Sequence, residues 1–374
     1  MGRRMAAFFG EPGYPDEAPA ILAVCYSFRG GSRRGPGMNR VLLVQPDPGS
    51  RISGGYLYNT KMAEHGAWDL LSLPAGDPAG RLDPGEHALV LADSMWLTQE
   101  GIKPFSRLRS RGVAMGIVLH SFPSMIAAAE SGLGARNEPT AFELEVLEQF
   151  GNVIAPGRHY ADLLAGRADV HVLEPGIDDE WRAPPRRRGE RCALVSVGAV
   201  TPRKGFLDVV QVLEERTRKD DYQWTVVGAL DVDVEYARAV RERTARLGTV
   251  VLTGQRSPDE TRAIVQRADV LVMPSYDENQ PLVLLEAMAA SVPSVAYAAG
   301  AAARMLGDGK AGFVGPVGDR KKLAVNLDRL INFEAERHRM ARHCYKRQEK
   351  IPSWVTAARH AKDALSRVGV AKRA

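Results

Sequence analysis

The sequence predicts an α/β protein built from two doubly wound, Rossmann-like lobes, and three observations carry that expectation. At 374 residues the chain exceeds one ordinary core and implies about two domains. Short apolar runs alternate with helical patterns, the βαβ rhythm of a parallel sheet covered on both faces. Three strand-to-helix junctions hold glycines, cations or paired carboxylates, the chemistry that collects at the carboxyl edge of such sheets.

Composition narrows the setting. Apolar residues make up 45% and charged residues 25%, as in a soluble globular protein. The net charge of +5 suits an anionic ligand or a membrane surface without choosing between them. Cys25, Cys192 and Cys344 are odd in number and far apart, which argues against a disulfide framework or a zinc site and for a reducing compartment. No apolar run approaches the roughly 18 residues of a membrane span. The basic start, Met1 to Gly10, breaks at Glu11-Pro12 before a signal peptide's apolar region can form. The expected location is cytoplasmic.

Residues 1–37 are rich in Gly, Pro and Arg and read as a disordered extension, so the folded part is expected to begin near Met38. Val41 to Val44 is a buried strand. The loop Pro48 to Tyr56 follows, with Gly54 and Gly55 leading into a helix that ends near His65-Gly66. A strand, a Gly-Gly turn and a helix form a backbone anion site, because glycine lets amides approach a phosphate closely. Further strands are expected at 68–73, 88–92, 112–120 and 152–156, with a helix over 138–150. His120 ends one of these strands, where ligand-facing groups of such sheets gather; a histidine bonded to a nearby carbonyl is the bland alternative. Lys103, Arg107, Arg109 and Arg111 put cations on one short helical stretch, either a solvated face or a peripheral contact with an anionic membrane.

The first domain is expected to span 38–180. Pro184-Pro185 and the run Arg186 to Arg188 mark 181–191 as an interdomain linker, and the second domain spans 192–350. It opens with the strand Ala193 to Val200. Thr201-Pro-Arg-Lys-Gly205 then turns into a helix, so Arg203 and Lys204 stand beside a dipole end that already favours anions, a fork and a point charge suited to a diphosphate. Strands follow at 222–228, 250–254 and 269–273. Asp231-Val-Asp233 reads as acids in a first helical turn rather than a metal site.

The third junction is Ala268 to Met288. The apolar run to Met273 is a buried strand, Pro281 belongs at the first position of the next helix, and Leu282, Leu285, Glu286 and Met288 recur at helical spacing. Glu278 lies in the loop and Glu286 a little over one turn inside the helix. A carboxylate accepts two hydrogen bonds from a vicinal diol, so this spacing suits a ligand with hydroxyls on both sides of a diphosphate, a nucleotide sugar.

Glu278-x7-Glu286, with Ala287-Met288-Ala289 and Val292-Pro293-Ser294-Val295, resembles the donor signature of the family 4 retaining glycosyltransferases of GT-B fold. Asn279-Gln280-Pro281 stands where that family usually has a glycine-rich turn. The resemblance implies two Rossmann-like domains facing across a cleft, and a sugar moved with retention from a nucleotide diphosphate to an acceptor hydroxyl. It implies catalytic roles for Glu278, Lys204, Arg203 and His120, and donor binding by Gly54, Gly55, Asn279, Gln280, Leu282, Glu286 and Gly254. It also places a loop on the donor near Gly300 and returns residues 351–374 as a helix to the first domain. The implied partners are the nucleotide-sugar donor and a sugar, lipid-linked or small-molecule acceptor, with no nucleic acid, no cofactor and no metal. The competing readings are a nucleotide-sugar 2-epimerase and a catalytically silent sugar-nucleotide-binding module. A dinucleotide oxidoreductase is disfavoured, because Gly198 to Gly205 lacks the Gly-x-Gly-x-x-Gly spacing.

Overall fold

In the computed structural model each short apolar run becomes a parallel strand and each intervening amphipathic stretch a crossover helix. The structure describes residues 40–50, 53–74, 87–131, 138–186, 190–218, 220–307 and 309–368. The extension expected over 1–37, and the start near Met38, lie outside them.

The first lobe runs β1 (Val41–Pro46), α1 (Gly54–Glu64), β2 (Asp69–Leu73), β3 (Leu89–Asp93), α2 (Lys103–Ser110), β4 (Met115–Val118), α3 (Pro123–Glu130), α4 (Ala141–Phe150), β5 (Asn152–Ala155), α5 (Arg158–Leu163) and β6 (Asp169–Val172). The second runs β7 (Cys192–Val197), α6 (Phe206–Glu215), β8 (Tyr222–Val227), α7 (Val234–Ala245), β9 (Val250–Leu252), α8 (Pro258–Arg267), β10 (Val270–Met273), α9 (Leu282–Ala289), β11 (Ser294–Tyr297), α10 (Ala302–Leu306) and β12 (Gly312–Gly315). Three helices close the chain: α11 (Arg320–Asn332), α12 (Glu334–Gln348) and α13 (Trp354–Val368).

The two six-stranded sheets have the orders β2-β1-β3-β4-β5-β6 and β12-β11-β10-β7-β8-β9, and every pairing is parallel. Strands buried on both faces have no reason to alternate polar with apolar, which is why β1, β3 and β10 read as continuous apolar runs. Strand order reverses between β1 and β3 in one sheet and between β7 and β10 in the other. Those switch points leave crevices at the strands' carboxyl ends, and the predicted junctions follow β1, β7 and β10.

Element ends follow local chemistry. The helix expected over 138–150 begins at Ala141, behind a capping box in which Thr140 and Glu143 bond reciprocally. The strand expected from 112 begins at Met115, because Gly112 adopts φ +88° in closing the turn after α2. Pro281, expected as the first helical residue, is instead the cap of α9. It is extended at ψ 106°, and its carbonyl accepts the first helical bond from Leu284. Asp233 caps α7, its carboxylate accepting the Tyr236 N–H at 2.9 Å.

Two crossings join the lobes. Ile177, leaving the first, pairs with Ser353 on the way back, and a Cβ on Gly176 would lie 2.3 Å from the Trp354 nitrogen. That close approach seats α13 on α1, where Trp354, Ala357, Ala358, Ala361 and Leu365 share one core cluster with Val41, Leu43, Tyr58 and Trp68. Residues beyond the second lobe therefore complete the core of the first. Trp354→Ala should cost about 3–5 kcal/mol, measured by denaturant unfolding of the whole chain, with the loss falling on the first lobe's transition.

Candidate functional site

The loop after β7 turns through a short 3-10 segment, Pro202–Lys204, and closes at Gly205, whose φ is +68°. Only glycine fits there, because a Cβ would lie 2.1 Å from the Pro274 carbonyl oxygen. The loops after β7 and β10 are thus pressed backbone to backbone. The Tyr276 N–H donates to the Arg203 carbonyl at 2.8 Å. Behind them the Tyr276 and Tyr297 hydroxyls each donate to Asp208 Oδ2 at 2.7 Å, fixing the β10 loop to the first turn of α6.

That packing brings three predicted residues together. Lys204 Nζ donates to Glu278 Oε1 at 2.5 Å, and Arg203 Nη1 lies 3.7 Å from the same oxygen. Burial pushes the Glu278 carboxyl up, but Lys204 and Arg203 together more than reverse this and hold it below the usual carboxylate range. Glu278 is therefore ionised at neutral pH. Burial lowers the Lys204 ammonium despite that partner.

Arg203 is committed differently. Its Nη1 donates to the Asp277 carbonyl at 2.9 Å, and its Nε lies 3.5 Å from Glu130 Oε1. Glu130 ends α3 in the first lobe and also accepts from the Arg203 N–H at 3.0 Å and the Thr201 hydroxyl at 2.9 Å. The guanidinium thus joins the lobes, and Lys204 is the predicted cation nearer to Glu278.

Gly54 and Gly55, expected as a turn before the helix, are instead the first two residues of α1, behind the cap Ser53, and the first lobe presents them to the same region. A Cβ on Gly54 would meet Leu282 Cδ1 at 3.6 Å, and one on Gly55 would meet the His120 ring at 3.1 Å. Gly54 therefore meets Leu282 across the lobes, and Gly55 meets His120 within the first. Asn279 and Gln280 turn towards the first lobe: the Asn279 amide donates to the Leu119 carbonyl at 3.1 Å, and Gln280 lies against Gly157. Their side chains bridge lobes, with Asn279 Oδ1, Gln280 Oε1 and Asp277 Oδ2 left as buried acceptors without a donor among the described residues. Gly300, at φ +53°, packs on the Glu278 and Asn279 carbonyls, where a Cβ would clash at 2.0 Å. Gly254, at φ +71°, follows β9 with nothing near its Cβ direction.

Glu286 lies one turn beyond Leu282 on α9. Burial and the nearby Asp178 carboxylate push its carboxyl up to about 7. Asp178, in the crossover, pairs with Lys61 of α1 at 3.0 Å. Sequence reasoning missed Glu130, Asp277, Asp178 and Asp93. Of these only Asp93 carried a signal, since it ends β3 at the switch point just as His120 follows β4.

Other surfaces show less convergence. An open depression of about 530 Å³ lined by Arg191, Thr217, Arg218, Asp220, Leu247, Gly248 and Thr249 lies at the amino-terminal edge of the second sheet, away from these loops. Lys103, Arg107, Arg109 and Arg111 are all exposed, and Lys103 pairs with Glu100. Among the described residues no helix is long and apolar enough to cross a membrane.

Residues 177–347 match the family model described as Glycosyl transferases group 1. The match covers the second lobe. The D-inositol 3-phosphate glycosyltransferase of Streptomyces avermitilis is 27% identical over 270 residues, 64% of this chain and 58% of that protein. The MMP alpha-(1->4)-mannosyltransferase of Mycolicibacterium hassiacum is 25% identical over 199 residues, 53% of this chain and 48% of that protein. The chain spans about half the length of these curated relatives. Among solved structures, sucrose-phosphate synthase from Thermosynechococcus elongatus superposes with a TM-score of 0.71 at 17% identity, over 89% of this chain and 100% of that one. Anabaena HepE in complex with UDP-glucose gives 0.69 at 18% identity, over 88% and 99%. At such identities the likeness is one of fold, and the fold is GT-B.

The Glu286 carboxyl, at about 7 against an ordinary 4.5, makes the folded chain bind more protons than the unfolded one between those values, so stability falls as pH rises through that window. Glu286→Gln should therefore raise the melting temperature at pH 8 by several degrees, at roughly 2–4 °C per kcal/mol for domains of about 150–250 residues, and leave it nearly unchanged at pH 4. An equal shift at both pH values, read by thermal denaturation, would show that burial of Glu286 does not control its charge.

Proposed function

We propose that this protein is a retaining glycosyltransferase that moves a sugar from a nucleotide-diphosphate sugar to an acceptor hydroxyl. The observation that carries the proposal is the pairing of Lys204 with Glu278 at 2.5 Å, at the switch point of the second sheet, with Gly54 of the first lobe against Leu282 of the following helix. The family match over the second lobe and the names of the curated relatives support the same class. The buried acceptors of residues 277–280 suit a ligand rich in hydroxyl donors.

Breaking the bond between the anomeric carbon and the diphosphate oxygen leaves negative charge on the diphosphate. The largest catalytic contribution then comes from fixed positive groups aimed at that charge. Lys204 and the amino terminus of α9 supply it, with the Gly54-Gly55 amides facing from the first lobe. In the proposed cycle Lys204 exchanges the Glu278 carboxylate for the departing diphosphate, and Glu278 turns to the hydroxyls of the sugar. Glu286 takes the ribose diol. The acceptor oxygen bonds to the anomeric carbon on the face the diphosphate leaves, and the acceptor proton passes to the departing phosphate oxygen, which gives retention. Contact between the lobes around the donor excludes water, which matters because hydrolysis is the competing reaction. Positive charge comes from side chains and a helix terminus, and Asp233 is occupied in capping α7; the proposed reaction uses no metal.

A melting screen with UDP-, GDP- and dTDP-sugars should find a donor that stabilises the chain, and that donor should release free nucleoside diphosphate with an acceptor present. Binding without release would leave the silent binding module, and a 2-epimer formed without acceptor would leave the epimerase. Lys204→Ala should lower turnover by about 10²–10³-fold with the fold intact; an unchanged rate excludes its role at the leaving group. Activity should survive a chelator, and its loss would return Asp231 and Asp233 to consideration as metal ligands.

A further inference from the structure

The first lobe carries a buried chain of side chains that the cycle above does not use. Asn59, in the middle of α1, is fully enclosed. Its amide nitrogen donates to Asp93 Oδ2 at 2.7 Å and to Gln45 Oε1 at 2.9 Å, which occupies both hydrogens. The amide oxygen is therefore the atom that faces His120 Nε2, at 2.9 Å. A carbonyl oxygen has no hydrogen to give, so Nε2 carries one, and the neutral ring has a bare Nδ1.

The orientation is over-determined. Flipping the Asn59 amide would set its oxygen against the Asp93 carboxylate at 2.7 Å. Asp93 is only 2% exposed and is itself held by the Met95 N–H at 2.8 Å. The His120 N–H donates to Ser94 Oγ at 3.1 Å, so backbone and ring are both fixed. The ring lies beside Gly55, and the preceding carbonyl, that of Leu119, receives the amide of Asn279, the residue after Glu278. Nδ1 has no partner among the described residues and borders the region where the donor sugar is placed above.

We propose that Asn59 and Asp93 are positioning residues that hold His120 as a neutral hydrogen-bond acceptor, with Nδ1 taking a hydroxyl of the donor sugar. The inference rests on the glycosyltransferase reading for its ligand, but the tautomer stands on geometry alone. Buried, the ring stays uncharged to lower pH than an ordinary histidine, with Asp93 opposing that effect. The groups facing it are Asp93, 3.6 Å from Nε2, and Tyr58, edge-on at 5.4 Å between ring centres with its hydroxyl committed to the Leu173 carbonyl. Tyr58 remains protonated, so Asp93 is the charge that matters.

Exchanging the pair, Asn59→Asp with Asp93→Asn, tests this without leaving a buried group unmatched. The amide introduced at position 93 can donate to the carboxylate introduced at position 59, and Gln45 can turn its own amide to that carboxylate and accept from Ser72. One carboxylate is retained, but it now touches Nε2–H directly and favours the imidazolium, whose Nδ1 cannot accept. The acid limb of kcat/KM should then move up by about 1–3 pH units, and activity should recover as pH rises. Asn59→Leu should lower kcat/KM about tenfold. A purely structural role would lower activity equally at every pH, and that flat loss in the exchange variant overturns the proposal.

A second measurement needs no variant to be active. Long-range nitrogen–proton spectra of the histidine-labelled wild-type protein, assigned with His120→Gln, should show Nδ1 unprotonated and Nε2 protonated at neutral pH. A proton on Nδ1 overturns the positioning chain whatever the substrate. If none of UDP-glucose, GDP-mannose and dTDP-glucose raises the melting temperature, the sugar-hydroxyl ligand falls with the functional reading, while the spectra still decide the Asp93–Asn59–His120 arrangement.

Discussion

Arg203 is the residue on which three parts of this site converge. Its backbone N–H and its Nε address Glu130 of the first lobe, its carbonyl accepts the Tyr276 N–H, and its Nη1 holds the Asp277 carbonyl. Burial lowers its hold on the proton, and Glu278, Asp277 and Glu130 more than restore it, so the guanidinium stays charged among three carboxylates. A planar fork with donors pointing in several directions can serve all of these partners at once, and a lysine ammonium cannot replace it. The loop after β7, the loop after β10 and the end of α3 therefore all touch this one residue, alongside the Thr201–Glu130 bond and the close approach of Gly205 to Pro274.

Given that anchor, the division of labour between the two adjacent cations follows. Arg203 divides its contacts among Glu130, Asp277 and Glu278, whereas Lys204 has Glu278 as its close partner. Asp277 carries the opposite bias: burial raises its carboxyl, with Arg203 acting against the shift. Adjacent acids in one loop are thus pushed apart in acidity, Glu278 kept ionised and Asp277 held towards its neutral form. Such separation is what lets neighbouring carboxylates take different tasks. The Glu286 carboxyl, at about 7, is a third case, with a charge that costs the folded state and that a diol ligand would compensate.

The first lobe meets these groups with backbone and neutral side chains at Gly54, Gly55 and His120, and with charge at Glu130 and Lys61. Gly54 and Gly55 let α1 come up against Leu282 and His120 with no side chain between. The Asp93–Asn59–His120 chain converts a buried carboxylate into an oriented neutral imidazole one residue removed. Both the lysine and the arginine of the loop after β7 come from the second lobe, whereas Glu130, which binds Arg203, comes from the first.

Much of this was legible in the chain itself. Buried parallel strands announce themselves as apolar runs, and the junctions after β1, β7 and β10 stand out because their glycines, cations and acids are local departures from that pattern. Lys204, Glu278 and Gly54-Gly55 were singled out on that basis; Asp233, read as an acid inside a first helical turn, is instead the cap before it. What the sequence left open are contacts between residues far apart: Thr201 with Glu130 across 71 positions, and Asn279 with Leu119 across 160. No spacing rule encodes such pairs, because they arise only when the two sheets present their carboxyl edges to each other. Hence the sequence by itself determined which loops gather glycines, cations and acids, while the tertiary structure decided that Arg203 meets Glu130 across the lobes, that Asn279 and Gln280 face the first lobe, and which nitrogen of His120 is left bare.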